Sequence, residues 1–113
     1  MPGANASPQQ VDAGDEPDLA CIDGITVLQA LSDPVRVEIV RQLAGCSELT
    51  CGGIKIPVTK STASHHLRTL RAAGVIAERE AGTYKYIRLR REELERRFPG
   101  LVDSVLRATV AAG

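Results

Sequence analysis

The stretch "VTKSTASHHLRTLRAAGVIAEREAGTYKYIRLR", residues 58–90, changes its side-chain periodicity halfway along. Thr59 is suited to cap a helix, and the run that follows contains neither Gly nor Pro until Gly74, which predicts a helix that ends there. From Val75 onward, apolar and charged residues alternate on either side of Ala81-Gly82, which predicts a β-hairpin. Because the period moves from 3.6 to 2, we expect a helix followed directly by a hairpin.

A second helix signal lies upstream of this stretch. In "SDPVRVEIVRQLAG", residues 32–45, Asp33 is placed as an N-cap, Pro34 occupies the first helical position and Gly45 is the expected stop. The connection "CSELTCGGIKIP", residues 46–57, contains two glycines and a proline, which leave room for about one helical turn. We therefore expect a short helix between the two longer ones.

The two ends of the chain add further helices. Apolar residues from Leu19 to Leu31 recur at helical spacing and predict a first helix from Asp18 to near Ser32. The last stretch, residues 91–113, predicts a charged helical segment, a break at Pro99-Gly100 and a final helix. The apolar stripe of that final helix consists of Leu101, Val102, Val105, Leu106 and Val110. Such a stripe needs a partner surface, which is either the rest of the domain or a second copy of the chain.

Length and composition limit the architecture to one small domain. The chain has 113 residues, and 43% of them are hydrophobic. Residues 1–17 hold three prolines and few large apolar side chains, so we expect a disordered acidic tail before a domain over 18–113. No apolar run approaches the ~20 residues of a membrane span, and no basic segment precedes an apolar one at the N-terminus. The expected location is cytoplasmic, with no membrane partner.

Charge is distributed unevenly along the chain. Residues 1–23 contain five acidic residues and no Lys or Arg, whereas residues 55–91 contain nine basic residues against two acidic ones. The basic stretch suits a polyanion such as nucleic acid. A solvated face that serves only solubility is the alternative, and charge alone does not separate the two.

The helix predicted after Thr59 has two different faces. At about 100° per residue, Ala63, Leu67 and Leu70 fall on the face that must be buried. The opposite face is small, polar and basic, and it comprises Ser61, Ser64, His65, Arg68 and Ala72. Hydroxyl, imidazole and guanidinium groups on such a face can hydrogen-bond to base edges in the major groove of DNA.

The adjacent histidines are poor candidates for a shared metal ion. His65 and His66 point about 100° apart on one helix, whereas a chelating pair prefers a spacing of three or four residues. His66 is expected at the margin of the buried face. His65 is expected on the outer face, where a nucleic-acid contact and a plain surface position remain open.

Three motifs in order resemble the ArsR/SmtB family of bacterial transcriptional repressors. "ALSDPVRVEIVRQLAG" is similar to that family's "ALADPTRLRILRLL", "KSTASHHLRTLRAAGVI" is similar to its recognition helix, and the hairpin ending in "YKYIRL" resembles its wing. The resemblance covers about residues 25–89. It implies a mainly α fold with a small β-hairpin, a winged helix-turn-helix that dimerises through its first and last helices.

The resemblance also implies a homodimer on double-stranded DNA, with two helices in successive major grooves of a palindromic operator. Candidates for phosphate contacts, which set affinity and its salt dependence, are Lys60, Arg71, Arg79, Lys85 and Arg88. Candidates for base contacts are Ser61, Thr62, Ser64, His65 and Arg68. Arg68 carries the sharpest expectation, because guanidinium pairs bidentately with guanine at about 1–3 kcal/mol of discrimination.

Members of this family typically release DNA when they bind a metal ion or are oxidised. Their thiolate pair "ELCVC" corresponds here to "ELTCGG", with Thr50 and Gly52 at the cysteine positions, and the final helix offers Asp103 but no histidine. The remaining candidates for a zinc or nickel site are Cys21, Asp18, Asp23, Cys46 and Cys51. Inert thiols and a thiol-redox switch are the alternatives.

Two classes of function compete, and neither is enzymatic. The sequence has no glycine-rich phosphate loop, nucleophile elbow or HExxH motif, so we expect no catalysis. A DNA-binding repressor is favoured. The rival is a winged-helix interaction module whose sensing is done by a partner protein, but a protein-docking helix should expose large apolar groups where this one exposes Ser61, Ser64 and Arg68.

Overall fold

The computed structural model describes residues 16–110, which form five α-helices and one three-stranded antiparallel sheet. The helices are α1 (Gly24–Ala30), α2 (Pro34–Ala44), α3 (Lys60–Ala72), α4 (Arg91–Arg97) and α5 (Leu101–Ala108). The strands are β1 (Leu49–Thr50), β2 (Ile76–Ala81) and β3 (Tyr84–Leu89), in the order β1-β3-β2. Two 3₁₀ turns, Leu19–Cys21 and Cys51–Gly53, complete the order of elements.

Both ends of α2 and the start of α3 follow the sequence signals. Asp33 Oδ1 accepts the backbone N–H groups of Val35 and Arg36 at 2.8 and 3.2 Å, and α2 ends with Gly45 as its C-cap. Thr59 caps α3 by accepting the N–H of Thr62 at 3.2 Å. Each of these bonds satisfies an N–H that has no partner inside its helix, so the predicted starts are confirmed.

The C-terminus of α3 turns sharply into the sheet at Gly74. Gly74 has a φ of +80°, and the bonds from Gly74 N–H to Arg71 C=O and from Val75 N–H to Leu70 C=O form a Schellman motif. A Cβ on Gly74 would lie 2.6 Å from Leu19 Cδ2. Glycine is therefore required twice, by the backbone conformation and by the close approach of Leu19.

The hairpin is present, and its turn lies one residue later than Ala81-Gly82. Ala81 still pairs with Tyr84, so the two-residue loop is Gly82-Thr83. Gly82 has a φ of +64° while no non-glycine residue among 16–110 has a positive φ, as in a type II′ turn. The resulting register places Arg79 opposite Tyr86.

The prediction of a short α-helix within residues 46–57 is wrong, because this segment contains a short strand and a 3₁₀ turn. Leu49 and Thr50 form a strand instead, opposite Ile87 and Tyr86 of β3. The Thr50 hydroxyl then accepts the N–H of Gly53 at 3.1 Å and closes the 3₁₀ turn Cys51–Gly53. Two adjacent glycines disfavour a longer helix, whereas the open edge of β3 offers the backbone a ladder to join.

The first predicted helix, from Asp18 to near Ser32, is broken in two. Asp18 caps the 3₁₀ turn Leu19–Cys21, and the chain is then extended at Ile22 and Asp23. Asp23 Oδ1 accepts the N–H of Ile25 at 3.0 Å and starts α1. The break follows from capping chemistry, because an aspartate in extended conformation before Gly24 satisfies a new helix start better than it continues an old one.

The C-terminal helices occur as predicted, with one difference at the end. Gly100, in left-handed conformation, separates α4 from α5. Val102 is buried and Leu101, Val105 and Leu106 pack partly against the core, but α5 ends at Ala108 and leaves Val110 outside the stripe. Within residues 16–110, no helix is long and apolar enough to cross a membrane.

The core lies where α2, α3 and the inner face of the sheet meet. Its fully buried side chains include Ile39, Leu43, Leu70, Ile76 and Ile87. This core holds α3 against α2 and holds the hairpin, as a wing, beside α3. The fold is a winged helix-turn-helix, mainly α with a small sheet, as the sequence predicts.

Candidate nucleic-acid interface

The inner side of α3 is fixed by a buried histidine. His66 is only 8% exposed, and its Nδ1 accepts a hydrogen bond from Arg36 Nη1 at 3.2 Å. The same guanidinium donates from Nε to the carbonyl of Ala30 at 2.7 Å and from Nη2 to that of Gln29 at 3.4 Å. Arg36 thus joins the end of α1, the start of α2 and the middle of α3. The expected position of His66 at the core edge is confirmed.

The outer side of α3 is free of apolar bulk. The side chains expected on this side, those of Ser61, Ser64, His65, Arg68 and Ala72, are all exposed. Lys60 and Thr62 are also exposed, and Thr62 is held at the helix start by the Thr59 hydroxyl at 3.0 Å. Within residues 16–110, no hydrogen bond or ion pair holds the side chain of Arg68 or Lys60. Both cations are therefore available to a partner molecule.

Four of the five predicted phosphate-contact residues are engaged by carboxylates, three of them by Glu78 or Glu93. Arg71 Nη1 donates to Glu78 Oε1, and Lys85 Nζ lies 3.6 Å from Glu78 Oε2. Arg88 Nη1 lies 3.9 Å from Glu93. Glu78 is the most buried residue of these ion pairs, and it links α3 to the wing. The Lys85 side chain stays largely exposed.

Arg79 is held more firmly than the other wing cations. Its Nε and Nη2 donate to the two carboxylate oxygens of Glu48 at 2.8 Å each, and its guanidinium stacks 4.5 Å above the ring of Tyr86. The hydrogen bonds from Arg79 lower the pKa of Glu48. A phosphate contact by Arg79 would have to break this bidentate pair. Among the five predicted phosphate-contact residues, Arg79 would therefore lose the most favourable interaction on binding DNA.

A cleft of about 220 Å³ separates α3 from the wing. It is lined by Ser64 and Arg68 of α3, by Glu78 and Lys85 of the wing, and by Cys51 of the 3₁₀ turn. Burial of the thiol in this cleft and the neighbouring Glu78 carboxylate raise the pKa of Cys51, against the opposing charge of Lys85. A raised pKa leaves less thiolate at neutral pH, which disfavours reactivity at this cysteine.

The candidate metal ligands lie apart. Asp18 and Asp23 are used as caps, accepting the N–H groups of Ala20 and Ile25, and the Cys46 thiol donates to the Gln42 carbonyl. All three cysteines, Cys21 included, are free. In the part of the chain that the structure describes, no three His, Cys, Asp or Glu side chains group closely enough to hold a metal ion. A site shared between two subunits stays a prediction.

Sequence reasoning missed the acidic partners of the basic residues. Glu48 and Glu78 carry the ion pairs of Arg79, Arg71 and Lys85. A strand register would have revealed part of this, since Glu78 and Lys85 are diagonal neighbours, two rungs apart on the same face of the hairpin. No sequence pattern predicts the contact between Arg36 and His66, because the two residues are thirty positions apart on different helices.

A second surface lies on the side of α1 and α5. Ile25 and Leu28 of α1 are 58% and 45% exposed, and neighbouring exposed aliphatic side chains form the kind of apolar patch that marks an interaction surface. Leu28 lines an open, mainly apolar groove of about 580 Å³ with Phe98, Pro99 and Leu101. This groove lies between α1 and α5, which correspond to the first and last helices that the family resemblance implies for dimerisation.

These features define the class of protein. A helix-turn-helix whose second long helix presents a small, polar and basic side to solvent, with a β wing beside it, is the architecture of winged helix-turn-helix DNA-binding proteins.

Comparisons with known proteins place the chain within that class. Residues 31–79 match the model of a helix-turn-helix domain. The chain is 39% identical over 82 residues to YceK of Bacillus subtilis, described as an uncharacterised HTH-type transcriptional regulator. The matched region covers 70% of this chain and 82% of YceK. It is 37% identical over 65 residues to the transcriptional repressor SdpR of the same organism, covering 56% of this chain and 71% of SdpR.

A solved structure agrees. A possible transcriptional regulatory protein of Mycobacterium bovis (fragment 1–100) superposes with a TM-score of 0.61 at 29% identity, covering 74% of this chain and 90% of that one. The chain belongs to the helix-turn-helix transcriptional regulators.

Proposed function

We propose that this regulator is a repressor of the ArsR/SmtB type that binds a palindromic operator as a homodimer. Each subunit places α3 in a major groove, where Ser61, Ser64, His65 and Arg68 face base edges. Lys60 at the helix start and Lys85 on the wing contact phosphates on either side. The proposal assigns no catalytic step to any residue.

The observation that carries this proposal is the chemistry of the exposed side of α3. His66 and Leu70 anchor one side in the core, and the other side presents two hydroxyls, an imidazole and a guanidinium that has no partner among residues 16–110. Side chains of this size let a helix approach the groove floor. A helix built to dock onto a protein would present large apolar groups instead, so the rival function as an interaction module has less support.

The apolar surface of α1 and α5 supports the homodimer. Ile25, Leu28 and the groove beside Phe98 lie together on one side of the subunit. A twofold axis through this side would duplicate α3 at about 34 Å, one turn of DNA. The C-terminal half of α5 contributes Val105 and Leu106, which are only partly covered by the subunit itself.

Modulation by zinc or nickel is the least supported part of the proposal. Cys21, Cys46 and Cys51 would have to meet across the dimer, together with carboxylates now used as helix caps. The raised pKa of Cys51 weakens the alternative of a thiol switch at that residue. Titrating each metal and an oxidant into the protein bound to DNA separates these regulators from one that responds to neither.

The experiment that tests the function is selection of duplexes from a randomised library by the purified full chain. We expect enrichment of inverted half-sites whose centres lie about 10–11 base pairs apart. Sedimentation of the free protein should give a dimer. Absence of any enriched sequence, with binding no stronger than that of an unrelated duplex, would contradict sequence-specific regulation.

A further inference from the structure

The N-terminal end of the described chain lies against the same side of the molecule as the exposed part of α3. Glu16 Oε2 accepts the backbone N–H of Glu78 at 3.2 Å, on the outer edge of β2. The Pro17 carbonyl accepts a hydrogen bond from Arg90 Nη1 at 2.7 Å, and Arg90 is itself only 7% exposed. Leu19, buried against Gly74, fixes the next turn. The point at which residues 1–15 join the domain is therefore firmly attached.

This attachment point opens onto cations of α3. Pro17, Arg68, Arg71 and Ala72 line one open cavity of about 350 Å³. Arg71 is already paired with Glu78, whereas Arg68 has no partner among residues 16–110. Whatever precedes Glu16 thus starts beside an unpaired guanidinium that is proposed to contact DNA.

The preceding segment has the charge and the length to cover that surface. Residues 1–15 contain Asp12 and Asp15 and no Lys or Arg, and Glu16 follows them directly. Fifteen residues can span up to about 50 Å when extended, whereas the thirteen residues of α3 extend about 20 Å. A tethered segment of this length acts at an effective concentration of about millimolar, so even weak charge pairs can hold it on the domain.

We propose that residues 1–15 dock through Asp12 and Asp15 on the exposed side of α3, around Arg68, and compete there with the DNA backbone. The segment and the nucleic acid are both anionic and need the same cations, so they exclude each other. The N-terminal segment lowers the affinity of the free regulator for every duplex, and it leaves the choice of sequence to α3. This inference rests on the proposed function for its consequence, but not for the contact itself.

The test compares three full-chain proteins with a protein that begins at Glu16. The full chains are the parent, D12N/D15N, which removes the charges, and D12E/D15E, which keeps them. Fluorescence anisotropy with a mixed-sequence duplex is measured between about 50 and 200 mM salt. We expect the truncated protein and D12N/D15N to bind about three- to tenfold more tightly than the parent at low salt, and D12E/D15E to match the parent. The gain should shrink as salt rises.

A second measurement keeps the contact testable without DNA. NMR spectra of the parent and the truncated protein should differ at the Arg68 Nε–H and at the backbone amides of Arg68 and Ala72, and D12N/D15N should resemble the truncated protein. Equal or weaker duplex binding by the truncated protein, or unchanged Arg68 signals, would overturn the docking. Failure of all four proteins to bind any duplex would instead overturn the proposed function, and the NMR comparison would still decide the docking.

Discussion

At the scale of single residues, one guanidinium links α3 to α1 and α2. Arg36 satisfies the carbonyls of Ala30 and Gln29 and the Nδ1 atom of His66. Arginine only donates hydrogen bonds, so the Nδ1 atom of His66 is the acceptor in this contact. Because consecutive residues of a helix point about 100° apart, burial of His66 leaves the neighbouring His65 on the exposed side of α3.

Replacing Arg36 should therefore cost more than replacing other surface arginines that bond to carbonyls. Arg36→Ala removes a donor from the Ala30 carbonyl and from His66 Nδ1, whereas the Gln29 carbonyl keeps the Ser32 hydroxyl as a donor at 2.7 Å. We expect a loss of about 1–3 kcal/mol in the free energy of unfolding, measured with urea. Arg91→Ala is the matched control, because Arg91 makes one exposed bond within residues 16–110, to the Ala44 carbonyl. Equal losses in the two variants would mean that the Arg36 contacts add nothing specific.

Arg68 should contribute to both affinity and base preference. We expect Arg68→Ala to weaken binding to the selected duplex by about 1–3 kcal/mol and to relax the preference at one position of each half-site. Arg96→Ala provides the comparison, since Arg96 is an exposed arginine on α4, away from the proposed groove-facing side. If both variants select the same sequences with the affinity of the parent, the assignment of Arg68 to the groove is wrong.

Asp33 makes stability depend on pH. Partial burial disfavours its charged form, but hydrogen bonds from the Arg36 and Val35 amides and nearby positive charge outweigh burial and lower the pKa of Asp33. Because the folded pKa lies below the unfolded one, the stabilisation is present above about pH 4 and is lost as the pH falls through the folded pKa.

Asp33→Asn tests this linkage, since asparagine caps helices but does not titrate in this range. We expect the parent to lose stability more steeply than Asp33→Asn between about pH 5 and pH 2, measured by thermal unfolding. Parallel curves for the two proteins would show that Asp33 is not the titrating group.

At the scale of elements, capping signals predicted better than apolar spacing did. The starts of α2 and α3 follow directly from Asp33 and Thr59, and the end of α3 follows from Gly74. The break before α1 was missed because the apolar spacing continues across Asp23, whose own capping bond decides the boundary. Strand β1 was missed because a two-residue strand exists only through pairing with β3, which no local pattern encodes.

Part of the candidate interface could also be predicted from local sequence patterns, and part could not. A helical wheel is enough to predict that Ser61, Ser64 and Arg68 share the exposed side of α3. The ion pairs of the wing depend on register, and the turn at Gly82-Thr83 places Arg79 opposite Tyr86, where Glu48 of the preceding segment can also reach it. Contacts of that kind join distant parts of the chain and require the tertiary structure.

The wing should set affinity without selecting sequence. Lys85 keeps more than half of its side-chain exposure despite the Glu78 carboxylate at 3.6 Å. We expect Lys85→Ala to weaken binding to selected and mixed duplexes by similar factors, and to reduce the slope of log K against log salt by about 0.9. A loss confined to the selected duplex would instead assign Lys85 to base recognition.

At the scale of the whole molecule, the proposed operator binding requires two subunits, which we expect to pair through α1 and α5. Leu28→Glu puts a charge into the apolar groove, and we expect it to weaken dimerisation at least about tenfold in sedimentation experiments. Tyr84→Ser removes another exposed large side chain, on the wing, and should leave the dimer intact. A monomeric parent, or equal dimerisation in Leu28→Glu, would locate the partner surface elsewhere.

The most direct measurement of groove recognition follows the side chains of α3 by NMR while the selected duplex is added. His65 and His66 are adjacent in sequence but lie on opposite sides of the core boundary, so one reports on the exposed side and the other is an internal control. We predict large shifts of the His65 ring and of the Arg68 Nε–H, with a much smaller change at His66. Unmoved His65 and Arg68 signals under saturating duplex would contradict an α3 that lies in the groove.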